Sequence, residues 1–368
     1  MASMAAGPAT LLLAAILKRD TLAFAFTLAA CAIAGIVAAF QFAVFTSFLA
    51  AGSAPVRQIA ADLWVTDRGV ACFDMPTPTS EDFARQLRAE FPAASMRRVV
   101  VGFTPWIAPD GGRSNVMLVG IEGSGLNPYG FAVDRSEQQR LGLVAAGQRA
   151  SIGRTGVHYA GPITGLATFL GAPYAIMPFE TARDILGYGE GRVAYIAVNL
   201  GPGPQPALAE RIARLQARNP EIAIRTGAEF AASSSAYWQE KTGAGAAILL
   251  AAVLASGLMI LLLLNGVGRF VQRRQADFIS LVGHGASPAQ LARIVGGVAA
   301  LLVAGSLLLT LAVCPLLDLV SEPLLPWVHF TGFNMAVAVA LALLCFAAAL
   351  VASLVELKRF PPHVVFRS

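Results

Sequence analysis

The stretch Thr21–Leu49 reads TLAFAFTLAACAIAGIVAAFQFAVFTSFL and carries no charged residue in 29 positions. An α-helix needs about 20 apolar residues to cross a bilayer core, and backbone groups in lipid must bond within their own segment. The stretch is therefore predicted to be a membrane-spanning helix. A secretory h-region is about 7–15 residues long, so this one reads as a retained anchor, although Ala50, Ala51 and Gly52 resemble a cleavage site.

Working outward, three more apolar stretches are long enough to span: Gly243–Gly268, one from about Ile294 to Leu317, and Asn334–Val355. The whole chain has 368 residues, 56% hydrophobic and only 13% charged, with a mean hydropathy of +0.64. Ordinary soluble domains carry roughly a quarter charged residues. The charge is also unevenly placed. Between Gly52 and Thr242 lie 18 of the 27 Lys and Arg and 17 of the 22 Asp and Glu. The fold class is thus an α-helical membrane protein with four transmembrane helices and a large α+β extracytoplasmic domain between helices 1 and 2.

The expected order is an interfacial helix over 1–20, span 21–50, external domain 51–242, span 243–268, loop 269–293, span 294–317, short loop 318–333, span 334–356 and tail 357–368. Basic residues near span ends mark the cytoplasmic side. Lys18 and Arg19 precede the first span, Arg269, Arg273, Arg274 and Arg293 lie between the second and third, and Lys358, Arg359 and Arg367 follow the fourth. The loop between spans three and four has Asp318 and Glu322 and no basic residue. Both termini and the 269–293 loop are therefore expected in the cytoplasm. The external domain is nearly neutral, which gives no footprint for nucleic acid.

Within the spans Gln41 and Asn265 are candidates for helix–helix hydrogen bonds, and Gly296, Gly297 and Gly305 for close helix approach. No acid or base sits mid-span to serve an ion pathway. In the external domain, strands are expected at Ala61–Arg68, Met96–Phe103, Asn115–Ile121, Ala175–Phe179, Arg192–Leu200 and Ile222–Arg225. Helices are expected after Thr79–Asp82, over Glu180–Leu186 with a stop at Gly187, and over Pro206–Arg218. The strand–helix alternation suggests α/β sandwich subdomains. Gly123–Ser124–Gly125 and Gly161–Pro162 read as turns, and Ser233–Ser235 as a helix start or linker. Trp64, Trp106, Tyr237 and Trp238 read as core or membrane-interface residues.

Site chemistry is sparse. There is no Gly-x-Ser-x-Gly and no phosphate-binding Gly-x-x-x-x-Gly-Lys-[Ser/Thr]. Glu81 and Asp82 fit a helix start better than an acid/base pair. The cysteines Cys31, Cys72, Cys314 and Cys345 show no zinc spacing, and the four histidines are scattered. No catalytic, cofactor or metal residue is assigned.

The loop after the second span is the most informative segment: Arg273-Arg274-Gln275-Ala276-Asp277-Phe278-Ile279-Ser280-Leu281-Val282-Gly283-His284-Gly285-Ala286-Ser287. It resembles the coupling segment of MacB/FtsX-type ABC transporter permeases in its acid at Asp277, Leu281, Gly285–Ala286 and the hydroxyl of Ser287. Val282 stands where that family usually has a basic residue, and Gly283–His284 where it has Ala-Leu. Thr226–Phe230 with Tyr237–Trp238, and Ala61–Val65, resemble the DevC-like branch.

The resemblance implies a MacB-like periplasmic core domain and a transport subunit without its own ATPase or catalytic site. It implies no cofactor on this chain, with ATP and Mg on a partner, a cytoplasmic ABC ATPase. It further implies a second permease copy or paralogue, a periplasmic adaptor with an outer-membrane channel, and a place in the bacterial inner membrane. Coupling falls to Arg273, Arg274, Asp277, Phe278, Leu281, Val282, Gly285, Ala286 and Ser287. Phe278, Leu281 and Val282 are expected to form one apolar edge, with Arg273, Arg274 and Asp277 on the charged one. Export of an amphiphilic substrate, FtsX-like activation of a cell-wall enzyme, LolC-like lipoprotein extraction and ligand sensing without an ATPase all remain open.

Overall fold

The computed structural model describes residues 21–169, 171–321 and 324–358. The expected interfacial helix at 1–20 and the tail beyond Lys358 lie outside them. The chain divides into two compact units.

The first unit contains residues up to Thr46, Ala247–Ser321 and the chain from Val328 onward. Four of its helices are long and apolar enough to cross a membrane. They belong to α1 (Thr21–Ala51), α7 (Ala244–Arg273), α9 (Pro288–Ser321) and α10 (Gly332–Lys358). Their shared core includes Cys31, Leu263, Val295, Leu302 and Cys345, while Phe26, Leu254 and Leu308 face outward. Helices approach closely where side chains are small: a Cβ on Gly305 would stand 2.8 Å from Leu28 Cδ1, and one on Gly266 would strike Thr27. This small-residue packing is how helices associate in lipid, where apolar burial drives nothing.

The polar contacts differ from expectation. Asn265 donates to Leu261 O one turn back in its own helix. The bond between helices comes from Asn334, whose Nδ2 reaches Thr46 Oγ1 at 2.8 Å. Thr331 Oγ1 caps α10 by accepting from Asn334 N, and Asn334 Oδ1 accepts in return from the backbone and hydroxyl of Thr331. The helices outlast the apolar stretches. α7 runs past Gly268 to Arg273 and α9 begins at Pro288, because a helix continues wherever its backbone bonds do.

The second unit spans Ser47–Ala246 and takes in Trp327. A six-residue helix, α2 (Ala54–Ile59), precedes a nine-stranded mixed sheet. The strands are β1 (Leu63–Asp67), β3 (Ser95–Ile107), β4 (Arg113–Ile121), β5 (Gly130–Asp134), β6 (Arg149–Ile152), β7 (Thr155–Ile163), β8 (Tyr174–Pro178), β10 (Tyr195–Asn199) and β11 (Ile222–Thr226). Their order is β11-β1-β10-β3-β4-β8-β5-β7-β6, and β6 pairs back onto β3. One half of the sheet is therefore rolled into a ring, in place of the expected sandwich subdomains. β4–β8 and β5–β7 are the parallel pairs. The short β2 (Thr79–Ser80) and β9 (Arg192–Val193) form a separate ladder.

Both faces of the flat half are buried, which explains the unbroken apolar run Val99-Val100-Val101. The core on one face includes Val100, Leu118 and Ile196, together with Leu87, Ala182 and Leu215 of α3 (Phe83–Glu90), α4 (Phe179–Leu186) and α5 (Leu208–Arg218). The core on the other face joins Val99, Val101 and Tyr195 to α2 and to Phe230 of α6 (Gly227–Glu240).

Three local readings need correction. Thr79–Ser80 is strand β2 rather than a helix cap, and Asp82 makes no side-chain cap bond. Gly161–Pro162 lies inside β7, beside the register shift between Phe131 and Ala132 of β5, so it marks a bulge. Ser233–Ser235 sit inside α6, whose capping box is Thr226 with Glu229. Each of these serines ties the helix to other backbone. Ser233 donates to Ala71 O at 2.6 Å, Ser234 accepts from Phe73 N at 3.1 Å, and Ser235 donates to Leu49 O at 2.7 Å.

Candidate functional site

The segment joining α7 to α9 forms a helix of its own, α8 (Gln275–Gly283). The break is a single residue. Arg274 leaves helical geometry at φ −106°, ψ 19°, and its side chain turns inward to 8% exposure. A buried guanidinium needs a partner. Its Nη1 lies 3.0 Å from Asp277 Oδ2, one turn into α8. Asp277 also sits in the first turn, where the helix dipole favours an acid.

Phe278 pins the helix from the other side. It is 3% exposed and meets Phe270 of α7 edge-on, with ring centroids 6.4 Å apart. Leu281 packs partly against the same core. Val282 turns away and is 38% exposed. The expected division into an apolar and a charged edge is therefore redrawn: Phe278 and Leu281 face inward with Arg274, while Arg273 and Val282 are displayed outward. Val282 lies only about 40° round the helix from Phe278, on the side away from Leu281, so the buried face ends between Phe278 and Val282.

The exit is equally defined. Gly285 takes φ +88°, which L-residues rarely adopt, and Ala286 N donates back to Leu281 O at 3.0 Å. Ser287 then caps α9. Its Oγ accepts from Gln290 N, and Gln290 Oε1 accepts from Ser287 N at 2.8 Å. With Pro288 in the first turn, Ser-Pro-Ala-Gln is a capping box whose sequence signature was available. α8 is thus a short, separately framed element, held among the described residues by the Arg274–Asp277 ion pair, the Phe270–Phe278 contact and Leu281, with Arg273 and Val282 exposed.

In the second unit the polar groups serve the fold. Glu81, beside Asp82, joins Glu122 and Glu180 around Arg98 at 3.0–3.3 Å, and the guanidinium lies 4.3 Å from the Phe179 ring. The bonds it donates to Glu122 hold the guanidinium further into its charged form. Burial raises the Glu122 carboxyl, but the Arg98 bonds together bring it below its usual range. Sequence reading missed Asp74. It is 3% exposed and accepts from Tyr174 Oη at 2.6 Å and Trp238 Nε1 at 3.0 Å. Burial pushes its carboxyl above the usual range, against the pull of those two bonds. A lone Asp between Phe73 and Met75 gives no signal of this in sequence.

No family model matches the chain, and no curated protein matches it. Solved structures do. The periplasmic region of MacB from Actinobacillus actinomycetemcomitans is 11% identical, with 46% of this chain and 90% of that one covered at a TM-score of 0.37. The extracellular domain of the noncanonic ABC-type transporter YknZ from Gram-positive bacteria is 11% identical, covering 45% and 99% at 0.33. A domain of a protein named as a permease from Porphyromonas gingivalis is 15% identical, covering 45% and 86% at 0.30.

Proposed function

We propose that this chain is the permease subunit of an ABC-type transporter that works by mechanotransmission. A separate cytoplasmic ATPase closes on ATP, pushes on α8, and the motion passes along α1 and α7 to the external domain. The observation that carries the reading is α8 itself. A helix framed by Arg274 at one end and Gly285 at the other, gripped by Phe278 and open at Arg273 and Val282, is built to take a push from another protein. The loop's resemblance to the MacB/FtsX-type coupling segment supports the same role.

On this reading the chain sits in the inner membrane with both termini in the cytoplasm, as the basic residues flanking the spans favour. It pairs with a second permease copy or paralogue. The external domain handles an amphiphilic substrate, with a periplasmic adaptor and outer-membrane channel as further partners.

The test is co-purification in gentle detergent from the native host. Wild type is expected to bring down an ATPase with nucleotide-dependent activity. Asp277→Arg with Leu281→Arg is expected to release it. Because both touch the helix's own packing, Val282→Arg on the exposed face is the sharper variant and is expected to release it too. A wild-type chain that captures no ATPase, or a Val282→Arg chain that binds it as well as wild type, overturns the assignment.

A further inference from the structure

A cleft of about 230 Å³ opens on the face of the sheet that carries α2. Its floor is Val119, Ile121 and Ile176, from the parallel neighbours β4 and β8, and Leu166 forms a wall. The exposed Gln58 of α2 and the half-buried Arg97 of β3 also line it. An apolar hollow with few polar groups is the usual form of a small-ligand site.

Arg97 is the unusual member. Its Nη2 donates to Ile59 O at 2.6 Å and to Asn199 Oδ1 at 3.3 Å, which anchors the guanidinium beside the cleft. Among the described residues no carboxylate lies within ion-pair distance of it, whereas neighbouring Arg98 has three. A guanidinium carries five N–H donors, so three remain for an occupant. The cation is thus placed and oriented, but not neutralised, at the edge of an apolar floor.

The location narrows the occupant. α2 starts three residues after α1 ends, which is at most about 10 Å of extended chain. The cleft wall is therefore tied directly to the exit of an apolar spanning helix. We infer that this cleft binds a single-chain acyl amphiphile with a carboxylate head, the chain lying on Val119, Ile121 and Ile176 and the head on Arg97. This deepens the export reading by giving the substrate class a subsite. It also gives bound ligand a route to α6: Tyr174, which lines the cleft, is joined through Asp74 to Trp238.

The test is photolabelling of the full chain in phosphatidylcholine nanodiscs with a diazirine-bearing decanoate, followed by peptide mapping. Label is expected on peptides containing residues 55–59, 119–124 and 163–166. Arg97→Gln is expected to lower it about tenfold or more, since bonds to charged groups are the strong ones. Arg97→Lys should retain part of it, and the neutral methyl ester of the probe should label weakly. Gln58→Trp, at an exposed position, should block the cleft without disturbing the core, which covers the case where Arg97→Gln misfolds. Label confined to the spanning helices, equal labelling by the methyl ester, or undiminished labelling in Gln58→Trp overturns the inference. No ATPase is involved, so this result and the co-purification result stand or fall separately.

Discussion

Trp238 Nε1 donates to Asp74 Oδ2 at 3.0 Å, so the last turn of α6 is fastened to a carboxylate buried in the second unit. Burial raises the Asp74 carboxyl above its usual value, so the folded state holds its proton more tightly than the unfolded state does. This contribution to stability is complete below about pH 4 and is lost as pH rises through the raised folded value. Asp74→Asn keeps the shape without the charge. It is expected to be at least as stable as wild type at pH 7 and to show a flatter stability profile between pH 4 and 8. Asp74→Ala strands two donors and is expected to cost about 2–4 kcal/mol. Thermal unfolding of the full chain across pH checks both.

Arg98 pairs with three carboxylates and lies over the Phe179 ring. Replacing it by Met keeps much of the stem but leaves Glu81, Glu122 and Glu180 facing one another. The side chain is 27% exposed, so water softens the effect, and a loss of roughly 1–3 kcal/mol is expected. Adding Glu122→Gln to the Met variant should recover part of it, which a double-mutant cycle reads directly.

Gly120 of β4 sits under α4. A Cβ there would meet Ala182 and stand 2.7 Å from Val100 Cγ2. Gly120→Ala is expected to destabilise the second unit by about 1–3 kcal/mol through overpacking. Ala at Gly156, which has open space around it, should change stability little. Thermal scans of the two variants side by side separate crowding from a general intolerance of β-branch-free strands to substitution.

Asn334 joins α10 to α1 through Thr46. Interhelical hydrogen bonds in membranes average about 0.6 kcal/mol. Asn334→Ala also removes the side-chain acceptor for Thr331 N and Oγ1, while the cap bond from the residue-334 backbone to Thr331 Oγ1 remains. Asn334→Asp can keep that acceptor but not the interhelical donor. The Ala variant is therefore expected to lose more than the Asp variant, and thermal unfolding in nanodiscs distinguishes them.

All four cysteines are buried, and burial with the nearby Asp74 charge pushes the Cys72 thiol up to about 11. The native chain should therefore resist maleimide at pH 7.5, leaving a clean background for topology. Val144 is 85% exposed. Val144→Cys is expected to react with an impermeant maleimide added outside spheroplasts, while Ala276→Cys in α8 should react only after lysis. The reverse pattern would overturn the proposed orientation.

Much of the architecture was legible because it is written in local periodicity. The apolar runs, the alternation of Tyr195, Ala197 and Asn199 in β10, and the αL stop at Gly187 each carry their own signal. Strands β5 and β6 escaped notice because they are short, and β7 because Gly156 and the bulge at Gly161 break its alternation. Helix α6 was missed because Gly-Ala-Glu-Phe-Ala-Ala-Ser-Ser-Ser has little apolar face, its serines bonding elsewhere instead. Sheet order could not be read at all, since pairing β4 with β8 or β6 with β3 depends on contacts distant in sequence.

The α8 segment shows the same limit at close range. Its stop at Gly285 followed from the residues and its charge from composition, whereas its start at Gln275 did not. That Arg274 would be buried and Val282 displayed depended on the one-residue break between α7 and α8, which sets the rotation of everything after it. A helix break of that kind has no residue signature.

Trp327 has a consequence for biogenesis. Its ring meets Phe169 at 6.3 Å, and Phe169 in turn touches Phe48 and Trp238. This aromatic knot draws on chain made before the sheet, within it, after it and beyond the third spanning helix. The ribosome supplies its final piece only after nearly nine-tenths of the protein has been synthesised. The second unit therefore lacks one part of this cluster until residue 327 has been made, and a segment excised at residues 52–242 would lack both Phe48 and Trp327.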